Sequence, residues 1–151
     1  MAKQLELRRG TTQANNLFTG AAGEVTMDTD TKQLRVHDGV KTGGYAVDTL
    51  VAFQVPSAGN NYTWYRKYAS GWVEQGGVVS GSGAQTINLP VTMADNNYQV
   101  YGNVKNATNG SATFSLQART LTTTTAGVYK TYNGGQAGED FWWEVKGMAA
   151  A

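Results

Sequence analysis

The stretch Tyr62-Thr63-Trp64-Tyr65-Arg66-Lys67-Tyr68-Ala69-Ser70-Gly71-Trp72-Val73-Glu74-Gln75-Gly76-Gly77 constrains the fold more than any other part of the chain. Two aromatic-rich runs of period two flank Ala69-Ser70-Gly71, a three-residue loop with glycine where the left-handed conformation is needed. That loop sets a register in which Tyr68 opposes Trp72, Arg66 opposes Glu74 and Trp64 opposes Gly76. An aromatic pair, a cross-strand ion pair and a ring over a glycine then share one face of a β-hairpin. Tyr65, Lys67, Val73 and Gln75 take the other. Trp64, Arg66, Tyr68, Gly71, Trp72 and Glu74 are therefore assigned a structural role, and none of them carries catalytic chemistry.

The same alternation runs through most of the chain, punctuated by Gly and Asn clusters, and nothing reads as a helix. The expected class is all-β. Lys and Arg number 12 against 11 Asp and Glu, so no electrostatic footprint for nucleic acid or an anionic membrane is present. Charged residues are only 15% of the chain, and its polar surface is Thr, Asn, Gln, Ser and Gly. Cysteine is absent, which removes disulfides and thiolate metal sites. No apolar stretch is long enough to insert in a bilayer. Met1-Ala2-Lys3-Gln4 has no apolar segment behind it, so no signal peptide is expected. The sequons at Asn61, Asn106 and Asn109 are then read as accidents of an Asn/Thr-rich β protein, made and assembled in a cytoplasm.

Residues 1–48 are expected to form an N-terminal β-hairpin module. A first strand spans Lys3 to Arg9 and a polar stretch covers Gly10 to Asn16. A hairpin then turns at Thr29-Asp30-Thr31-Lys32, setting Met27 against Leu34, Val25 against Val36, Thr26 against Arg35 and Glu24 against His37. The apolar residues fall on one side and the polar pairs on the other. So small a piece cannot offset its own ordering entropy, which is about 1–2 kcal/mol per residue. Without cysteines, association with copies of itself is the remaining solution.

Residues 49–151 read as an antiparallel β-sandwich. Beyond the aromatic hairpin, strands are expected over 85–91, 97–105 and 111–119, with Asn109-Gly110 a hairpin turn between the last two. A threonine run, Thr120 to Thr125, leads to the strand 127–132, and the glycine-rich loop 133–138 to the strand 140–146.

Candidate sites are few. His37-Asp38 supplies too few ligands for a zinc site, and adjacent strand residues point to opposite faces, so His37 is read as pairing with Glu24. Glu139, Asp140 and Glu144 are the clustered carboxylates a glycosidase would need, but a sandwich this small leaves little room for a polysaccharide groove. Trp142 shares a polar strand face with Glu144 and Lys146, the setting of an interface residue or a sugar-stacking platform. Tyr101, between Gln99 and Asn103, is placed likewise. Tyr129, Tyr132 and Asn133, beside the glycine-rich loop, complete the receptor- or glycan-binding candidates. No catalytic residue, metal site or cofactor is assigned.

Two stretches resemble known families. Leu7-Arg8-Arg9-Gly10-Thr11, Ala22-Gly23-Glu24-Val25-Thr26-Met27-Asp28-Thr29-Asp30-Thr31 and Leu34-Arg35-Val36-His37-Asp38-Gly39-Val40 resemble the N-terminal β-prism-type domain of phage major tropism determinants and tail-fibre proteins. That resemblance implies hairpins packed around a three-fold axis. Trp64 to Gly77, with Phe141-Trp142-Trp143-Glu144-Val145-Lys146-Gly147, resemble the receptor-binding C-terminal knob of phage tail fibres. Together these imply a trimeric, non-enzymatic virion fibre. Its partners would be its own copies, other virion proteins and a bacterial surface polysaccharide or outer-membrane receptor. Almost no shaft separates the two stretches, which favours a short fibre, a spike subunit or a decoration protein. Two other readings remain open: a structural decoration fibre that binds no host receptor, and a polysaccharide-degrading spike.

Overall fold

In the computed structural model, residues 6–105 and 113–151 are described. The expected Asn109-Gly110 turn, the sequons at Asn106 and Asn109, and the first part of the expected strand at Lys3 to Arg9 lie outside them. The fold is all-β, with one short α-helix among the described residues, and divides into two compact units, Met1–Thr49 and Leu50–Ala151.

In the first unit, β1 (Arg8–Gly10) pairs in parallel with β2 (Val25–Asp28), and β2 pairs antiparallel with β3 (Leu34–Val36), which carries β4 (Tyr45–Ala46) on its far edge. The β2–β3 register is Val25 to Val36, Thr26 to Arg35 and Met27 to Leu34, as turn length and alternation require. A helix stands where none was expected: α1 (Thr12–Leu17), capped by the Thr11 hydroxyl, which accepts from the Ala14 N–H at 3.2 Å. Six residues are too few for a helical period to emerge. Its buried contact is also polar, since Asn15 Nδ2 donates to the carbonyls of Gly10 at 2.8 Å and Thr11 at 3.0 Å.

Which side of this hairpin is buried reverses the hydrophobic rule. Thr26, Asp28 and His37 on the polar side are buried, while Leu34, Val36, Tyr45 and Val47 on the other side are exposed. The buried layer holds together by directional bonds. Thr26 Oγ1 donates to Asn15 Oδ1 at 3.1 Å, and Arg35 reaches Asp28 at 2.9 Å, Asn16 at 2.9 Å and the Gly43 carbonyl at 3.0 Å. His37 stands opposite Glu24, its backbone N–H donating to the Glu24 carbonyl at 2.9 Å, but its ring bonds elsewhere than to the Glu24 carboxylate. Its Nδ1 accepts from the Gly20 N–H at 3.2 Å, its Nε2 lies 3.0 Å from Thr26 Oγ1, and Phe18 packs edge-on against the ring. Glu24 turns outward to Arg8 at 3.0 Å.

The second unit is a two-sheet sandwich. One sheet runs in the order β5 (Leu50–Gln54), β6 (Trp64–Tyr68), β7 (Trp72–Val79), β13 (Phe141–Met148), β9 (Gln99–Val104). In the other, β11 (Thr125–Tyr132) pairs with β8 (Ala84–Asn88), β10 (Phe114–Leu121) and β12 (Gly135–Gln136). Val73, Val79, Ile87, Met93, Val128, Phe141, Trp143 and Val145 form the core between them. Two polar side chains are buried there by substitution of bonds. Gln75 imitates a strand, exchanging bonds with the Val91 N–H at 2.9 Å and carbonyl at 3.0 Å. Lys130, fully buried, donates from Nζ to the Glu139 carbonyl at 2.6 Å.

Gly71 closes the aromatic hairpin at φ +89°, with its N–H on the Tyr68 carbonyl at 2.9 Å. Trp64 then lies over Gly76, where an added Cβ would come within 2.7 Å of the indole nitrogen. Arg66 is in register with Glu74, yet Glu74 finds its cation elsewhere, with Lys146 Nζ of β13 at 3.9 Å.

Candidate functional site: the aromatic outer face of the five-stranded sheet

β13 is paired on both edges, by β7 and β9, and alternation sends Phe141, Trp143 and Val145 into the core and Trp142, Glu144 and Lys146 outward. Register then composes the outer face in rows. Trp142 sits between Val78 and Asn103, Glu144 between Gly76 and Tyr101, and Lys146 between Glu74 and Gln99. The last row sets Met148 against Trp72. Two sequence candidates, Trp142 at 40% exposure and Tyr101 at 54%, thus come together on one surface.

Two further residues complete the cluster. The Tyr62 ring meets Trp142 edge-to-face, with centroids 5.8 Å apart at 73°. Lys105 Nζ lies 5.0 Å from the Tyr62 ring and 5.6 Å from that of Trp142, with Asp140 at 3.8 Å. Sequence reasoning missed both. Lys105 was legible, because it continues the outward parity of Tyr101 and Asn103. Tyr62 was not, because it lies in a turn where strand parity does not apply.

The electrostatics of this face are local. Lys146 bridges Glu144 at 3.2 Å and Glu74 at 3.9 Å. The hydrogen bond and charge of Glu144 raise its ammonium above the ordinary lysine value. The phenol of Tyr101 donates to Gln99 Oε1. Of the carboxylates considered for catalysis, Glu144 and Asp140 each stand beside a lysine, and Glu139 offers its carbonyl to Lys130. Among the described residues, no three His, Asp or Glu side chains converge as metal ligands.

The remaining candidates lie elsewhere. Tyr129 is on the outer face of the opposite sheet, with the Arg119 guanidinium 4.5 Å from its ring. Tyr132 packs against the core beside Phe114, with centroids 5.2 Å apart. Asn133 holds a left-handed turn at φ 46° and accepts from the Thr113 N–H at 2.8 Å. At the other end of the aromatic face, the edge strand β5 exposes Leu50, Val51 and Phe53, followed by Val55. An apolar groove of about 510 Å³ is lined there by Leu50, Phe53, Val55, Pro56 and Trp64. The face therefore has an apolar end and an aromatic, hydrogen-bonding end.

The chain is similar to several known proteins. Residues 5–41 match the family model of the Major tropism determinant N-terminal domain. The tail fiber receptor-binding protein of Bordetella phage BPP-1 is 32% identical over 127 residues, covering 74% of this chain and 33% of that protein. The chain thus spans about a third of that relative's length. Among solved structures, an N-truncated R2-type pyocin tail fiber aligns with a TM-score of 0.48 at 24% identity, covering 66% of this chain and 39% of the other. The M1 variant of the Major Tropism Determinant aligns with a TM-score of 0.28 at 31% identity, covering 42% of this chain and 20% of the other. The chain is similar to bacteriophage tail-fibre and tropism-determinant proteins.

Proposed function

We propose that this chain is a non-enzymatic fibre component of a phage virion, a homotrimer that attaches to a bacterial surface receptor through its second unit. The Trp142–Tyr62 pair, exposed beside Lys105, carries the reading. Exposed aromatic rings next to hydrogen-bonding side chains suit the apolar faces and hydroxyls of a surface glycan. The printed name of the Bordetella phage relative, a tail fiber receptor-binding protein, supports the same class of activity. Trimerisation is supported by the first unit, whose apolar sheet face is exposed while its polar face is buried. In this reading the first unit joins copies and serves virion attachment, and the second presents three equivalent sites whose weak affinities combine.

Labelled protein incubated with a panel of bacterial strains tests the proposal. At least one strain is expected to bind it, and Trp142→Ala to reduce that binding by at least about tenfold, since aromatic anchors contribute upwards of 1 kcal/mol each. Undiminished binding by Trp142→Ala would remove the aromatic face from the account, and no binding to any strain would favour a decoration fibre.

A further inference from the structure

A second cavity, of about 280 Å³, opens where the end of β7 meets β8. Its hydrogen-bonding side chains are Asn61, Thr63, Ser80, Gln85, Thr86 and Asn88, and no ionisable residue lines it. Its floor holds two polar atoms that the protein leaves unused. Gly77 has no Cβ, and Trp143 Nε1 and Thr63 Oγ1 converge on the place a Cβ would occupy, 3.1 and 3.2 Å away. Among the described residues neither atom makes a hydrogen bond, and both residues line the cavity. Trp143 as a residue is 5% exposed, but its indole nitrogen is not sealed and stays accessible from the cavity.

The rim is conformationally costly. Asn61 and Tyr62 are consecutive non-glycine residues in the left-handed region, at φ 53° and 55°. Local bonds hold them there: Asn61 Nδ2 donates to the Val78 carbonyl at 2.8 Å, and the Tyr62 N–H to the Ser57 carbonyl at 2.7 Å. One product of this turn is that Asn61 lines the cavity while the next ring, Tyr62, meets Trp142 edge-to-face. The cavity and the aromatic face are therefore two sides of one strained turn.

We propose that this cavity is a second ligand subsite, taking a neutral, polyhydroxylated ring, one sugar unit of a glycan. The Trp143 indole N–H would donate to a ring or hydroxyl oxygen, and the Thr63 hydroxyl and surrounding amides would exchange bonds with neighbouring hydroxyls. A sugar acid would lose hydration there with no cation to receive it. The volume sits at the small end of ligand sites, with room for a ring rather than a strand of peptide. The proposal rests on the receptor-binding reading only for the source of the sugar.

The test is a titration of the full ¹⁵N-labelled chain with free glucose, galactose, rhamnose and N-acetylglucosamine, and separately with galacturonate, read at the Trp143 indole N–H. At least one neutral sugar is expected to shift that resonance saturably at millimolar concentration. Thr63→Val, which keeps the shape and removes the hydroxyl, is expected to weaken the effect about tenfold. Trp142→Ala is expected to leave it in place. The proposal is overturned if no neutral sugar moves the Trp143 signal, if Thr63→Val titrates like the wild type, or if galacturonate binds there more tightly than every neutral sugar. Free sugars make the outcome independent of whether the protein adsorbs to any cell.

Discussion

Lys130 occupies a position on β11 where alternation calls for an apolar side chain, between Val128 and Tyr132 on the core-facing side. Burial lowers its ammonium below the ordinary lysine value, partly opposed by the nearby charges of Asp140 and Glu139. A lysine with a depressed folded value binds fewer protons folded than unfolded, so its penalty is full below that value and fades as pH climbs towards 10.5. Lys130→Met is expected to stabilise the second unit by about 1 kcal/mol or more at neutral pH, with the advantage shrinking at alkaline pH. Thermal melts at several pH values read both effects. Asp28 behaves oppositely. Burial alone would raise it, but the Thr31 N–H, the Thr12 hydroxyl, Arg35 and the Asp30 N–H together hold it at about 2. Its contribution is complete above the ordinary 3.8 and lost as pH falls towards 2, so acid should melt the first unit over that window. Arg35→Ala should cost about 3 kcal/mol by leaving that carboxylate buried and unpaired. Urea melts at neutral pH would show it. Neither residue was legible in the sequence, because a charge in an alternating strand looks the same whether its face is wet or sealed.

Two hairpins, β2–β3 and β6–β7, were readable because two independent constraints agreed. The lengths of Thr29–Lys32 and Ala69–Gly71 set the registers, and alternation gave the same pairings. Alternation shows that two faces differ, however, and not which one is covered. In β2 and β3 the inner layer is made of Thr26, Asp28, Arg35 and His37, whose bonds to Asn15, Asn16, Gly20 and Gly43 come from α1 and from loops without sequence period. Helix α1 escaped notice for the same reason. The exposed side, with Leu34 and Val36, is where a second copy would pack. Leu34→Glu is expected to leave the folded chain's melting within about 0.5 kcal/mol under conditions where it is monomeric, while dissociating the assembly. Circular dichroism and gel filtration together distinguish that outcome from simple unfolding, which would show the face to be part of the monomer's own core.

At the scale of the molecule, the aromatic face was half legible. Trp142 and Tyr101 follow from strand parity, whereas Tyr62 reaches Trp142 only through a turn that no periodicity describes. Tyr129 lies on the opposite sheet's outer face, so the original candidates do not form one site. In the proposed fibre the two units would divide the work: apolar surface on the first and on β5 would join copies, and aromatic surface on the second would meet the receptor. No helix among the described residues is long and apolar enough to cross a membrane. The central claim is that the chain does not act alone, and its most direct test is the molar mass of the purified protein by light scattering. The account predicts about three times the 16.1 kDa of one chain. A single species at 16.1 kDa, unchanged as concentration rises, would contradict it.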